Sequence, residues 1–489
     1  MVTMFSILHI SDLHRSHDDP VDNYSLVAAL VADRDRYSGE TPVVPAPNAI
    51  IVSGDLIRGS PIGQDNWQRD IRDQYRVASE FLDQLTRRFL DGDRSKLIIV
   101  PGNHDVCWNT SFDSMERVPV AEYPSDVRKA LIDPDSNYRW SWKERALYRI
   151  SKADVYAQRL RAYWEFAEKF YADVPLLRPI DGYRGYQLFE LYGRRIVVAA
   201  FDSISGNDCF GYSGAIHRGA VARCNLDIRD IPHSYDLCIA VWHHSIQGPP
   251  LRDDYMEIGQ VYEMAGLRFQ LGLHGHQHVA GAATHYVHLS DSPCMAVVSA
   301  GSLCAGSREL PRGVNRQYNV IVIEDDLCRA RVHVREIVEW EQFSRKSNGA
   351  FLQGFVEMCW QPRVDPVGRV IGAGEENTRR AILLAEDALH SGNARRAIEL
   401  LQAVELPPGS HARSVAIQAA LKAENWGFMV TAITEPQSIE EAVFLISALI
   451  QSDFLDRAAE VLIKYPGIDA GTRTELEGRI ETRRILRAK

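Results

Sequence analysis

The chain has no surplus of positive charge. It carries 55 Lys and Arg against 65 Asp and Glu, a formal net charge of −10. A protein that tracks nucleic acid without regard to sequence usually carries a basic excess, so this balance disfavours that role and leaves only a local basic groove open. Cysteine is scarce, eight in 489 residues with no C-x-x-C. A disulfide scaffold is denser and shorter, so the expectation is reduced, buried thiols in a cytoplasmic protein. Long apolar runs are missing too. "AVFLISALI" (Ala442 to Ile450) is among the longest and is too short to span a bilayer, so no membrane partner is expected. The start, "MVTMFSILHISDLH", has no basic region before its apolar run and does not read as a signal peptide. There is no Walker A sequence, no H-E-x-x-H, no G-x-S-x-G and no complete G-x-G-x-x-G. NTPase, zincin, serine hydrolase and dinucleotide-binding readings lose their motifs.

What is present is a soluble, globular composition long enough for two or three domains. Short aliphatic runs recur: "FSILHI" from Phe5, "NAIIVS" from Asn48, "KLIIV" from Lys96, "RIVVAAF" from Arg195, "LCIAVW" from Leu237, "FQLGL" from Phe269 and "MAVVSA" from Met295. Runs of this length, rich in Val and Ile and bounded by Gly, Asp or Pro, read as buried strands. Helical periodicity lies between several of them. From Gln68 to Phe89 the apolar positions are Ile71, Tyr75, Ala78, Leu82 and Leu85. The alternation predicts α/β layering with functional loops at strand ends. "YNVIVIE" (from Tyr318) and "ARVHVREI" (from Ala330) close this part. The second alternates Arg331, His333 and Arg335 with Val332, Val334 and Ile337, as a half-exposed strand does.

The expected domains are 1–345, a linker at 346–377 and an all-α region at 378–489. Within the first, residues 111–181 read as a helical cap insertion, aromatic and locally basic. Either it packs its aromatics inward, or it is a lid that holds a phosphate-bearing substrate with Arg and an aromatic ring. In the last region, "RRAILLAEDALHSGNARRAIELLQAV" (Arg379 to Val404) aligns without gaps to "EEAVFLISALIQSDFLDRAAEVLIKY" (Glu440 to Tyr465). A weaker unit, "AIQAALKAENWGFMVTAI", lies between. The spacing resembles tetratricopeptide-like helical repeats, with a plain helical bundle or a dimerising one as the alternative. A protein partner or self-association through this region is expected.

The strand ends carry the chemistry. In order they are "SDLH" (Asp12, His14), "SGDLIRG" (Asp55), "VPGNHDV" (Asn103, His104, Asp105), "WHHS" (His243, His244) and "HGHQH" (His274, His276, His278). Each alone has an ordinary reading, as a chance D-x-H, a common turn or a structural histidine. Together they give mixed His, Asp and Asn donors at the mouths of successive strands. Two divalent metals about 3.5–4 Å apart clamp the attacking and leaving oxygens of a phosphoryl centre, and a carboxylate between them offsets their repulsion. Such donors suit borderline metals, manganese first, with iron, zinc or nickel as alternatives and magnesium left open. Arg15, His17 and Arg58 lie nearby in sequence, either as a solvated rim or as phosphate-binding groups.

The set D-x-H, G-D, G-N-H-D, H and G-H-x-H resembles the calcineurin-like metallophosphoesterase superfamily over about residues 4–340. The resemblance implies a four-layer α/β/β/α sandwich with a dinuclear centre. One metal would take Asp12, His14 and His278, and the other Asn103, His243 and His276, with Asp55 bridging. His104 would stabilise the transition state or protonate the leaving oxygen, and Asp105 would orient it. His243 is taken over His244 as the ligand, although Ser245 stands where the family usually has Pro. "SAGS" (Ser299 to Ser302) matches a further family segment. His274 falls outside the motif and is expected to be structural. "GDLIRGSP" and "GNHD" differ from the "GDxVDRG" and "GNHE" of protein phosphatases. The expected activity is therefore a phosphodiesterase on nucleotides or nucleic acid. A phosphomonoesterase or protein phosphatase, or a partner-regulated module with a latent metal site, stand as alternatives.

Overall fold

The computed structural model describes residues 4–19, 21–132, 136–246, 254–286, 294–306, 310–338, 342–347, 351, 353–360 and 381–487, the last span without 383, 387, 390–392 and 403. The chain divides into two compact units, the first extending to Pro362 and the second running from Arg363 to Lys489. Most of the expected linker, 361–377, lies outside the described residues.

The first unit is built on two mixed sheets. One places β1 (Phe5–Ile10), β2 (Ala49–Val52) and β3 (Leu97–Ile99) in parallel. The other places β8 (Ile196–Phe201), β9 (Leu237–Val241), β10 (Leu271–His274) and β12 (Cys294–Ser299) in parallel, and β7 (Tyr186–Leu191) and β11 (Gly281–Tyr286) flank them antiparallel at its two edges. In the first sheet β13 (Gln317–Ile323) runs antiparallel to β1, and β14 (Arg329–Ile337) follows it. Parallel strands covered on both faces need continuous apolar runs, which is why "AIIV", "LII" and "IVVAAF" carry almost no polar residue. Alternation then sorts the side chains. Val198, Ile239, Val241, Leu271 and Leu273 share one core with Ile7, Ile50 and Val52 of the first sheet. Val197, Ala199, Ala240 and Trp242 face the other way, onto α7 (Ala220–Arg229) and α8 (Ile258–Gly266). Helices α1 (Asn23–Arg34) and α2 (Trp67–Phe89) pack into the first core through Leu26, Leu30, Ile71, Ala78, Leu82 and Leu85.

Three expectations change. The insertion is not all helical. β5 (Tyr138–Ser141) and β6 (Ala146–Ile150) form a hairpin, and β4 (Met115–Arg117) joins β6. Tyr, Trp, Leu and Ile there suit a pleated, half-buried surface, and Arg145 adopts a left-handed φ of 52° in the turn. Helical structure lies on both sides of the hairpin, in α3 (Trp108–Asp113) and α4 (Val127–Ile132) before it and in α5 (Ala153–Ala157) and α6 (Arg161–Phe170) after it. Tyr163, Phe166 and Phe170 of α6 join the main core, and Phe166 stacks on Tyr75 at 5.1 Å.

His333 and Arg335 of β14 are buried rather than half-exposed. Arg335 donates two hydrogen bonds to Asp33 of α1, at 2.7 and 2.8 Å, and one to Glu40 at 2.6 Å. A buried guanidinium needs such a fork-to-carboxylate pairing.

The first unit also runs beyond residue 345. β15 (Phe343–Arg345) and β16 (Phe355–Cys359) both pair with β14. Trp360 is buried and donates its indole N–H to the Leu327 carbonyl at 2.7 Å.

The second unit is helical. Helices span Ala394–Leu401, His411–Lys422, Trp426–Ala432, Ile439–Gln451, Leu455–Lys464 and Ala470–Arg487. Asn393, Ser410, Asn425 and Ser438 each accept a backbone N–H at a helix start, as side-chain caps do. Among the described residues no helix is long and apolar enough to cross a membrane.

A chain ended after Pro362 should fold and melt cooperatively. One ended after Arg345 should melt far lower or precipitate, since it loses β16 and Trp360. Trp360→Ala in the full chain should cost about 3–5 kcal/mol. Equal melting of the two truncations would refute a structural role for β16.

Candidate metal centre

Asp12 and His14 follow β1, Asp55 follows β2, Asn103 and His104 follow β3, His243 follows β9, and His276 and His278 follow β10. All five strands are parallel members of their sheets, so their carboxyl ends point one way and their loops meet. The meeting is tight. Asp12, His14, Asp55, His276 and His278 all have positive φ, between 44° and 76°. Non-glycine residues in that region cost about 1–3 kcal/mol each and persist where surrounding structure holds them. Two glycines make room. A Cβ on Gly275 would overlap Ser11 Oγ and crowd Asp12 Oδ2, and one on Gly54 (φ 100°) would overlap the His243 ring.

Each carboxylate spends one oxygen on the backbone and turns the other inward. Asp12 Oδ2 accepts the His276 N–H at 3.1 Å, while Oδ1 lies 3.3 Å from His278 Nε2. Asp55 Oδ1 accepts the His104 N–H at 2.8 Å, while Oδ2 lies 3.2 Å from His243 Nε2 and 3.8 Å from His14 Nε2. Asp55 Oδ2 thus stands between the two proposed ligand sets. Asp12, His14 and His278 converge within 4.8 Å, as do Asp12, Asp55 and His243. Asn103 Oδ1 lies 2.9 Å from His243 Nε2 and 3.0 Å from His276 Nδ1.

The donor set fits cations. His14 Nε2 faces His278 Nε2 at 3.4 Å, and His243 Nε2 faces His276 Nδ1 at 3.2 Å. Paired ring nitrogens with buried carboxylates call for positive charge between them. Burial alone would lower the His243 imidazole, but the Asp55 carboxylate outweighs it and holds it up at about 9. A cation bound there would take the place of that proton. Burial would raise Asp12 and Asp55, yet His278 holds the first below the usual carboxylate range and His243 the second. Burial, then His104, pulls His14 down to about 4, so it presents a neutral ring.

The two adjacent histidines separate cleanly. His243 Nδ1 donates to the Ser53 carbonyl at 2.8 Å, which aims Nε2 at the centre. His244 is fully buried, with Nδ1 3.0 Å from Ser203 Oγ and Nε2 3.4 Å from Asn207 Nδ2. Burial, with His276 next to it, holds His244 well below its usual range. His274 stacks on Trp242 at 5.6 Å, away from the ligand cluster.

Two expected roles need correction. Asp105 does not orient His104. Its carboxylate accepts from Gly102 N–H (2.9 Å), Leu56 N–H (3.2 Å) and Tyr75 O–H (3.0 Å), tying the Asp55 and Asn103 loops to α2. Burial and the Asp55 charge push it up to about 7. The Arg58 carbonyl orients His104 instead, 2.7 Å from Nδ1, and leaves Nε2 available. Arg15 is not at the rim. It is buried, pairs with Asp19 at 3.2 Å and lies over Phe81 at 5.7 Å. His17 and Arg58 are exposed, and both reach Asp18, at 3.3 and 3.4 Å.

Sequence reasoning missed Ser53, Ser203 and Asn207, which position His243 and His244 from behind. The available signal was "FDS" after β8, the same strand-end arrangement as the other motifs. It also missed Asp254, whose Oδ2 lies 3.7 Å from His276 Nε2.

A family model described as Calcineurin-like phosphoesterase matches residues 5–280. Comparison with curated proteins gives no match. Similar solved structures include a dimetal phosphatase from Danio rerio, 11% identical, covering 70% of this chain and 98% of that one at a TM-score of 0.35. Another is the calcineurin-like phosphoesterase YfkN from Bacillus subtilis, 14% identical, covering 70% and 88% at 0.30. GAP50, the anchor in the inner membrane complex of Plasmodium, is 8% identical and covers 77% and 95% at 0.34.

Asp55→Asn should lose both ions when metal content is measured after loading. Retention of both would refute the bridging position. His274→Ala should keep both, and loss of either would make it more than structural.

Proposed function

The chain belongs to the calcineurin-like phosphoesterase family, and from that premise we propose that it is a phosphodiesterase acting on nucleotide or nucleic-acid diesters. Charge at the mouth is the observation that supports this reading. A phosphate monoester carries close to two negative charges near neutral pH, and a diester carries one. Arg15 is buried and Arg58 is paired with Asp18, so the nearby cations are already engaged. A singly charged diester needs less compensation there.

When bound, a pair of divalent ions supplies Lewis-acid stabilisation of the phosphoryl charge and activates water as the nucleophile. Asp12, His14 and His278 would hold one ion, Asn103, His243 and His276 the other, and Asp55 would sit between. Manganese is the first pair to test. The chain's own residues do the remaining work. His104, held through Nδ1 by the Arg58 carbonyl, presents Nε2 to protonate the leaving oxygen. Asp105 keeps its loop docked on Tyr75. The layering implied by the family, helices outside two facing sheets, belongs to the same reading. So does a repeat-like helical region that recruits a protein partner or a second copy. The eight cysteines are all free, which accords with a reducing compartment such as the cytoplasm.

The manganese-loaded protein should hydrolyse bis-p-nitrophenyl phosphate faster than p-nitrophenyl phosphate. Monoester-only turnover would make it a phosphatase. No turnover of either, with metal bound, would support a latent, partner-regulated site. His104→Ala should keep its metal and lose about 10²–10⁴-fold in kcat; a fall in metal content would place His104 among the ligands.

A further inference from the structure

An aromatic wall leads away from the metal centre on the His104 side. The His104 ring lies 4.6 Å from His14. Trp108, four residues further along and the first residue of α3, has its ring 6.2 Å from His104. Tyr212 follows, 6.0 Å from Trp108, with the two planes at 58°. Tyr212 is 43% exposed. An exposed ring at the outer end of such a row adds little to a core, whereas a rigid aromatic face is well suited to a planar ligand.

The wall is held from behind. Trp108 and Phe210 pack on a small cluster of Met115, Ala146, Tyr148 and Cys209. The loop that carries Tyr212 is pinned by Asp208, which is fully buried. Asp208 Oδ1 accepts the N–H groups of Phe210 and Gly211, both at 2.8 Å. Its Oδ2 accepts from Arg139 Nε at 2.6 Å and from the Tyr156 hydroxyl at 2.8 Å. Arg139 and Tyr156 belong to the insertion. Arg159, also of the insertion, donates to the Asn207 and Ser205 carbonyls, both at 3.0 Å. A buried carboxylate satisfied by four donors fixes its loop in one arrangement.

We propose that Trp108 and Tyr212 form a stacking subsite for the nucleobase on the leaving side of a phosphodiester. This rests on the phosphodiesterase reading, in which His104 marks the leaving oxygen. A sugar bridges the gap between that oxygen and the wall, and the base then lies against one ring with its edge toward the other. Stacking tolerates any base, so the subsite selects for a nucleoside rather than for a particular sequence. The insertion then contributes to specificity as the fixed support of the Tyr212 loop.

Binding and turnover test this separately. Manganese-loaded protein is titrated with adenosine 5′-monophosphate and with ribose 5-phosphate by calorimetry. The nucleotide should bind about tenfold tighter, the scale of one stacked base. Tyr212→Ala should remove most of that preference, and Tyr212→Phe should retain it. In turnover, the ratio of kcat/KM for a thymidine dinucleotide over its abasic counterpart should fall about tenfold in Tyr212→Ala and stay high in Tyr212→Phe. Equal affinity for the two monophosphates, or a preference that survives Tyr212→Ala, overturns the subsite. If no diester turns over, the phosphodiesterase reading fails by itself and the titrations still decide the subsite.

Discussion

Two carboxylates, Asp12 and Asp55, are buried almost completely at the seam of two sheets. Charge in such a place must be compensated or the fold does not form. The compensation is a ring of imidazoles delivered by loops far apart in sequence. That requirement accounts for much of the local structure. It explains why several of these residues hold left-handed backbone, and why Gly54 and Gly275 stand where a side chain would collide. It also explains why the Asp55 carboxylate holds the His243 imidazole above its usual range although burial alone would lower it. The centre is a strained, charge-balanced junction, and its geometry is the one that divalent cations complete.

Around that junction the polar network serves position more than chemistry. Ser53, through its carbonyl, selects the ring nitrogen that His243 presents. Ser203 and Asn207 occupy the two ring nitrogens of His244, which burial holds well below its usual range. Asp105 binds three donors and locks the Asp55 and Asn103 loops to α2. The carbonyl of Arg58, not its guanidinium, meets His104. The same loop that holds Ser203 and Asn207 continues to Asp208, where Arg139 and Tyr156 grip it from the insertion. Support of the metal ligands and support of the aromatic wall therefore come from one continuous segment.

Much of the fold was legible because buried parallel strands leave a plain signal. "FSILHI", "NAIIVS", "RIVVAAF" and "LCIAVW" all became strands, and the periodicity from Gln68 to Phe89 became α2. Legibility failed where the pattern was ambiguous. "YRWS" and "ALYRI" suit helix or strand, and pairing with each other and with β4 decided the matter. β16 was hidden in a stretch that read as a connector, because an edge strand needs only β14 and a buried Trp360 to hold it. Arg335 alternated like a solvent-facing residue, yet Asp33 and Glu40 turned that face into the interior.

The order of motifs determined which residues meet: D-x-H, G-D, G-N-H-D, H-H and G-H-x-H bring together carboxylates, imidazoles and an amide at the ends of parallel strands. Residue type and strand order are local properties, and a sequence carries them openly. Tertiary structure alone decided which oxygen of Asp12 and Asp55 turns inward, that Asp105 serves the backbone, and that Arg15 points into the core over Phe81. It also brought Tyr212 beside Trp108. Side-chain direction depends on partners dozens or hundreds of residues away and on backbone angles imposed by close packing, and neither is written in the local pattern.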